Sequence, residues 1–136
     1  MISGINHLTL VTADLDRALA FYRDLLGCDV EYRWARGAYL RAGSLWLCLE
    51  HDPELRLEAS GDDSHPAFDL TSGAFDALSA RIREAGVSLW KQNSSEGPSL
   101  YILDPDGRKL ELHVGTLDSR LAAIPGFAAE RSAERA

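Results

Sequence analysis

Cysteine is nearly absent from this chain: there are two in 136 residues, Cys28 and Cys48, and neither sits in a CxxC pair. Two are too few for a disulfide scaffold, so both are expected as reduced thiols of a cytoplasmic protein. Basic residues are also in short supply, 14 Lys and Arg against 21 Asp and Glu, which leaves a net charge of -7 at pH 7. That balance excludes the broad basic face of a nucleic-acid binder. It also gives weight to each individual cation, because an acidic chain that handles an anion must concentrate its few positive charges locally. No run of 18 apolar residues exists, so no membrane span is expected. The first ten residues lack a basic region followed by an apolar stretch and a small-residue cleavage site, so no signal peptide is expected either. Apolar residues at 46% and charged residues at 26% fit a folded domain with one core.

The hydrophobic pattern repeats. Ile5 to Val11 reads as a strand. Thr12-Ala13-Asp14 offers a helix N-cap, and Leu15, Leu19, Tyr22, Leu25 and Leu26 follow at helical spacing up to Gly27. Strands fit Asp29 to Trp34, Ala38 to Arg41 and Leu45 to Glu50. His51 to Ser64 is polar and rich in Pro, Gly and Asp, and reads as a linker. The order then starts again. His65 to Leu70 is a strand, and a helix with Phe75, Leu78, Ile82 and Ala85 on one face runs to Gly86. Strands fit Val87 to Lys91, Leu100 to Leu103 and Lys109 to Val114, the last two joined by the turn Asp104-Pro105-Asp106-Gly107. The expected fold is therefore α+β, with βαβββ modules over 1–50 and 65–115, a linker over 51–64, and a C-terminal helix and tail over 116–136. Glu130 to Ala136 reads as frayed. Neither module could bury its sheet alone at this size, so the two must pack together or exchange with a second chain.

Alternation along a strand divides its faces. Leu8 and Leu10 suit the helix side of the first strand, which leaves His7 and Thr9 on the open side. On the last strand Leu110, Leu112 and Val114 face the core, and Lys109, Glu111 and His113 face away, where a carboxylate has no core role. A histidine near a strand start is usually an ordinary surface or hydrogen-bonded residue. His7 and His65, however, occupy matched places in two repeated halves. Together with Glu111 they make a set of two imidazoles and a carboxylate from separate strands, suited to Mn, Fe, Zn or Ni with open positions. Such a site can polarise a substrate oxygen. His51 falls in the linker and His113 has no repeat partner, so both read as surface residues or as support behind the ligands.

Trp90 to Tyr101 reads W-K-Q-N-S-S-E-G-P-S-L-Y. Its ammonium, hydroxyls and backbone N–H groups are what a phosphate or phosphonate needs, and the plain alternative is a long polar hairpin loop. Glu96 argues against a simple anion nest and fits a loop that also wraps a cation. Arg120, just past the last strand, could reach the same pocket or lie on a solvent-facing helix. No Ser-His-Asp or Cys-His arrangement stands out.

N-H-L-T-L at Asn6–Leu10, G-A-Y-L at Gly37–Leu40, L-W-L-C-L at Leu45–Leu49, the Trp90–Tyr101 loop and D-P-D-G-x-K-L-E-L-H-V-G at Asp104–Gly115 together resemble the fosfomycin glutathione transferases. These belong to the vicinal-oxygen-chelate, or glyoxalase, superfamily. The resemblance runs over about residues 1–123, as a single domain of that superfamily. It implies paired βαβββ modules forming an open, cup-shaped mixed sheet in a domain-swapped homodimer. The metal, usually Mn²⁺, would be held by His7 of one subunit with His65 and Glu111 of the other. K⁺ would sit in the loop with Asn93, Ser95, Glu96, Gly97 and Ser99. Lys91, Ser95, Ser99, Tyr101 and Arg120 would grip the phosphonate, and Trp46 would line the pocket. Thr9 would lie beside the attacked oxirane, and Tyr39 would help the glutathione thiol ionise. Asp63, Pro66, Arg36 and Glu50 depart from the family pattern, the last two along the thiol channel. A hydrolase of the same superfamily would need a carboxylate near Gly37, a bacillithiol- or cysteine-using transferase would differ only in its thiol, and a non-catalytic phosphonate-binding protein would lack turnover.

Overall fold

The structure is a computed structural model and describes residues 1–58, 61–128 and 131. The element order is β1 (His7–Thr12), α1 (Leu15–Leu19), β2 (Asp29–Trp34), β3 (Gly37–Ala42), β4 (Leu45–His51), β5 (Ala67–Asp69), α2 (Ser72–Glu84), β6 (Leu89–Lys91), β7 (Ser99–Leu103), β8 (Lys109–His113) and α3 (Leu117–Ala122). Each half is thus the expected βαβββ module. The strands form two mixed four-stranded sheets, ordered β1-β4-β3-β2 and β5-β8-β7-β6, with β1 parallel to β4 and β5 parallel to β8. The chain divides into two compact units, residues 1–63 with 103–108, and residues 64–102 with 109–136.

In the first unit α1 starts where the sequence signals it. The Asp14 carboxylate accepts from the Arg17 N–H and serves as N-cap. The helix does not continue as a regular α-helix. Ala20–Leu25 is wound as a π-helix, and Phe21 and Tyr22 are buried there beside Leu15, Ala18 and Leu19. An expected periodicity of 3.6 therefore finds the right buried residues up to Tyr22, but Leu25 and Leu26 are only half-buried. The sheet's helix side carries Leu10, Leu40, Leu47 and Leu49, all buried.

The turn 103–108 belongs to this unit through a buried polar knot. Asp104 accepts from the Tyr22 hydroxyl at 2.6 Å and from an Arg108 guanidinium nitrogen at 2.6 Å, and Arg108 also donates to the Val11 carbonyl at 2.7 Å. Burial first, then the Asp104 charge, push the Tyr22 phenol far above its ordinary pKa. His51 is corrected: it closes β4 instead of opening a linker, and its ring Nε2 lies 3.1 Å from the Ala13 carbonyl.

In the second unit β5 is shorter than expected, and His65 precedes it instead of opening it. On helix α2 Ile82 is buried, Phe75 and Leu78 are half-buried, and Ala85 is exposed. β6 starts at Leu89, two residues later than the pattern suggests. β7 starts at Ser99, which places that hydroxyl on a strand. Of the expected frayed stretch Glu130 to Ala136, all but Arg131 lies outside the described residues. Among the described residues no helix is long and apolar enough to cross a membrane.

Candidate active site

Strand register assembles the open face of the first sheet. His7 pairs with Trp46, which pairs with Arg41; Thr9 pairs with Cys48, Cys48 with Tyr39, and Tyr39 with Tyr32; Val11 pairs with Glu50, Glu50 with Gly37, and Gly37 with Trp34. Thr9 and Tyr39 therefore share one cross-strand row with Cys48 between them. Rings cover this face continuously: His7 to Trp46 at 4.5 Å, Trp46 to Tyr39 at 5.3 Å, Tyr39 to Trp34 at 4.9 Å and Trp34 to Tyr32 at 5.7 Å. Tyr39 and Trp46 remain 38% and 40% exposed, so this aromatic surface is open to a ligand. Cys48 is buried below it; burial, then the Glu50 charge, raise its pKa against a hydrogen bond from Thr9. Cys28 is likewise buried and pushed up to about 11, by burial and then Asp29.

Gly37 has no room for a side chain. A Cβ there would lie 2.4 Å from Trp34 Cζ2 and 2.6 Å from the Leu49 carbonyl oxygen. The indole fills the space where a hydrolase of the same superfamily would need its carboxylate.

The second unit holds a polar cluster around Glu111, which is buried. Its Oε2 lies 2.9 Å from His65 Nε2, and its Oε1 accepts from the Ser99 hydroxyl at 2.7 Å. Burial raises the Glu111 carboxyl, but hydrogen bonds from Ser99, His65 and Tyr101, with the His65 charge, outweigh it and hold the group below its ordinary value. Trp90 and Tyr101 wall the His65 ring at 5.2 and 5.8 Å. The Lys91 ammonium lies 5.5 Å from the Tyr101 ring, and Lys109 lies 4.9 Å from Trp90. His113 is half-buried, and its Nδ1 sits 2.6 Å from Ser99 Oγ. The β8 alternation could have found it, since His113 shares a face with Glu111.

The loop after β6 is internally bonded. Asn93 Nδ2 donates to the Gly97 carbonyl at 2.8 Å, and Asn93 Oδ1 accepts from the Ser95 N–H and hydroxyl. Arg120 in α3 reaches back to this loop. It donates to the Glu96 carbonyl at 3.3 Å, and its Nε lies 3.6 Å from Glu96 Oε2. Those last two atoms are buried and, among the described residues, have no hydrogen-bond partner. The second unit thus gathers His65, Glu111, Lys91, Ser95, Ser99, Tyr101, Asn93, Glu96, Gly97 and Arg120, while His7, Thr9, Tyr39 and Trp46 lie in the first. Among the described residues no three His, Cys, Asp or Glu side chains gather as a metal site within one chain.

The model of the Glyoxalase/Bleomycin resistance protein/Dioxygenase superfamily matches residues 4–112. The chain is 49% identical over 125 residues to "Glutathione transferase FosA" of Serratia marcescens, covering 90% of this chain and 89% of that protein. It is 36% identical over 127 residues to "Metallothiol transferase FosB" of Shouchella clausii, covering 90% and 87%. Among solved structures, the fosfomycin resistance protein FosX of Listeria monocytogenes, complexed with Mn(II) and sulfate ion, superposes with a TM-score of 0.77 at 30% identity, covering 90% of this chain and 98% of that one.

Proposed function

Because this chain belongs to the glyoxalase superfamily and, within it, to the FosA-type glutathione transferases, we propose that it inactivates fosfomycin by adding glutathione across the epoxide, with a divalent metal and K⁺. The observation that carries the reading is the buried Glu111 carboxylate facing His65 at 2.9 Å, with Ser99 fixing its other oxygen. A carboxylate with no core role, held ready beside an imidazole, fits a divalent ion of borderline hardness such as Mn²⁺. His7, on the open face of the first sheet, completes the set when it comes from a second subunit. Glu96 fits the monovalent ion: among the described residues its buried Oε2 accepts no hydrogen bond, and its ion pair with Arg120 is long, at 3.6 Å.

A divalent ion held by His65 and Glu111 with His7 of a second subunit would supply Lewis-acid stabilisation to the epoxide oxygen. The rest is done by this chain's side chains. Lys91 and Arg120 balance the phosphonate charge and hold the epoxide in line. Tyr39, part-exposed among rings, donates to the glutathione sulfur and favours the thiolate of a group whose free pKa is about 8.5. Trp46 walls the pocket, and Thr9 borders the attacked carbon. One S–C bond forms, one C–O bond breaks, and the proton lost by the thiol balances the one taken up by the new hydroxyl.

Gly37 favours thiol over water as nucleophile, because no carboxylate base can stand there while Trp34 fills the space. Mass spectrometry after incubation with fosfomycin, glutathione, Mn²⁺ and K⁺ tests the reading. A glutathione adduct is expected, and Glu111→Ala should abolish it. A diol product, an adduct only with another thiol, or an active Glu111→Ala protein would reject it.

A further inference from the structure

We propose that His113 is a positioning residue that orients Glu111 through Ser99, acting as a hydrogen-bond donor from Nδ1. The geometry is a relay of two short contacts. Ser99 Oγ lies 2.7 Å from Glu111 Oε1 and 2.6 Å from His113 Nδ1. His113 Nδ1 itself is 3.7 Å from Glu111 Oε1, too far to bond directly. Proton accounting fixes the direction. A carboxylate can only accept, so the single Ser99 proton goes to Glu111, and the hydroxyl oxygen must accept from His113. Nδ1 carries a hydrogen in this arrangement whether the ring is neutral or cationic.

The ring is held in place by two glycines. A Cβ on Gly97 would lie 3.1 Å from His113 Cε1 and 2.5 Å from the Val114 carbonyl oxygen, and a Cβ on Gly115 would lie 2.7 Å from His113 Nε2. Both glycines also have positive φ, +80° and +153°. The backbone thus closes on the far edge of the imidazole and aims its near nitrogen at Ser99. The result for Glu111 is that one carboxylate oxygen is fixed and the other is left towards His65. The relay also sets what Ser99 can offer. With its proton committed to Glu111 and one lone pair to His113, it has a lone pair for a cation but no proton for a phosphonate.

The effect on metal binding rests on reading Glu111 as a ligand; the direction of the relay does not. Two measurements keep these apart. In the metal-free protein, long-range ¹H–¹⁵N correlation of the imidazoles should show His113 protonated at Nδ1, and Ser99→Ala should shift that signal. A neutral ring protonated only at Nε2 would overturn the relay. In Mn²⁺ titrations followed by the electron paramagnetic resonance of the free ion, His113→Leu should weaken binding by about 10- to 100-fold, the usual size for losing a group behind a ligand. His113→Asn, which places an N–H near the position of Nδ1, should stay within about threefold of the parent. The two variants should have similar melting temperatures. Equal Mn²⁺ affinity in His113→Leu and the parent, or equal loss in both variants, would overturn the positioning role. A parent protein that binds no Mn²⁺ would reject Glu111 as a ligand and the metal effect with it, while the tautomer still reports on the relay.

Discussion

At the scale of single residues, the candidate site separates groups that fix the fold from groups that meet ligand. Lys91 is exposed at the end of β6, over Tyr101. Its removal should lower kcat/KM by about 10- to 100-fold, the loss of one charge-assisted contact to the phosphonate. The melting temperature should barely move, and an equal loss of stability and activity in thermal and kinetic assays would contradict this. Gly37 is the opposite case. Gly37→Ala must displace Trp34 or the Leu49 carbonyl, so it should destabilise by about 1–3 kcal/mol in urea titration. Because Trp34 packs against Tyr39, the same change should also raise the KM for glutathione. These two residues show what a sequence discloses. The unusual composition of Trp90 to Tyr101 marks Lys91 without any coordinates. The crowding at Gly37 depends on a ring three residues away, across a strand pair, and composition cannot show it.

At the scale of elements, the period-two pattern of β1 and β8 placed His7, Thr9 and Glu111 on the intended faces. Alternation only says which way a side chain points. It does not say whether that side is open: His7 and Thr9 are exposed, whereas Glu111 is buried. Helix α1 was legible from Asp14 to Tyr22 because the N-cap and the buried spacing agree. The π-helical winding of Ala20–Leu25 was not, since one extra residue per turn leaves the upstream spacing intact. Helix α3 matters because it carries Arg120 to Glu96. It is only six residues long and is set by a capping box, with Thr116 accepting from the Ser119 N–H and Ser119 accepting from the Thr116 N–H. Thr116→Ala should cost about 1 kcal/mol, seen as a melting temperature lower by a few degrees. It should also weaken capture of fosfomycin at low K⁺ more than at saturating K⁺. An unchanged K⁺ dependence would separate α3 from the loop.

At the scale of the whole molecule, the repeat in the sequence and the repeated βαβββ order of elements in the structure agree. The proposed chemistry needs more than either unit offers, because His7 lies in one and the His65–Glu111 pair in the other. We propose that the three hold one ion shared between two subunits. The most direct test is a heterodimer of His7→Ala and Glu111→Ala subunits, co-expressed with different affinity tags and purified through both. Each parent variant should be inactive. If the ligands come from different subunits, one site of the heterodimer carries both lesions and the other carries none, so the heterodimer should recover about half the activity of the unmodified dimer. A heterodimer as inactive as its parents would contradict the shared site.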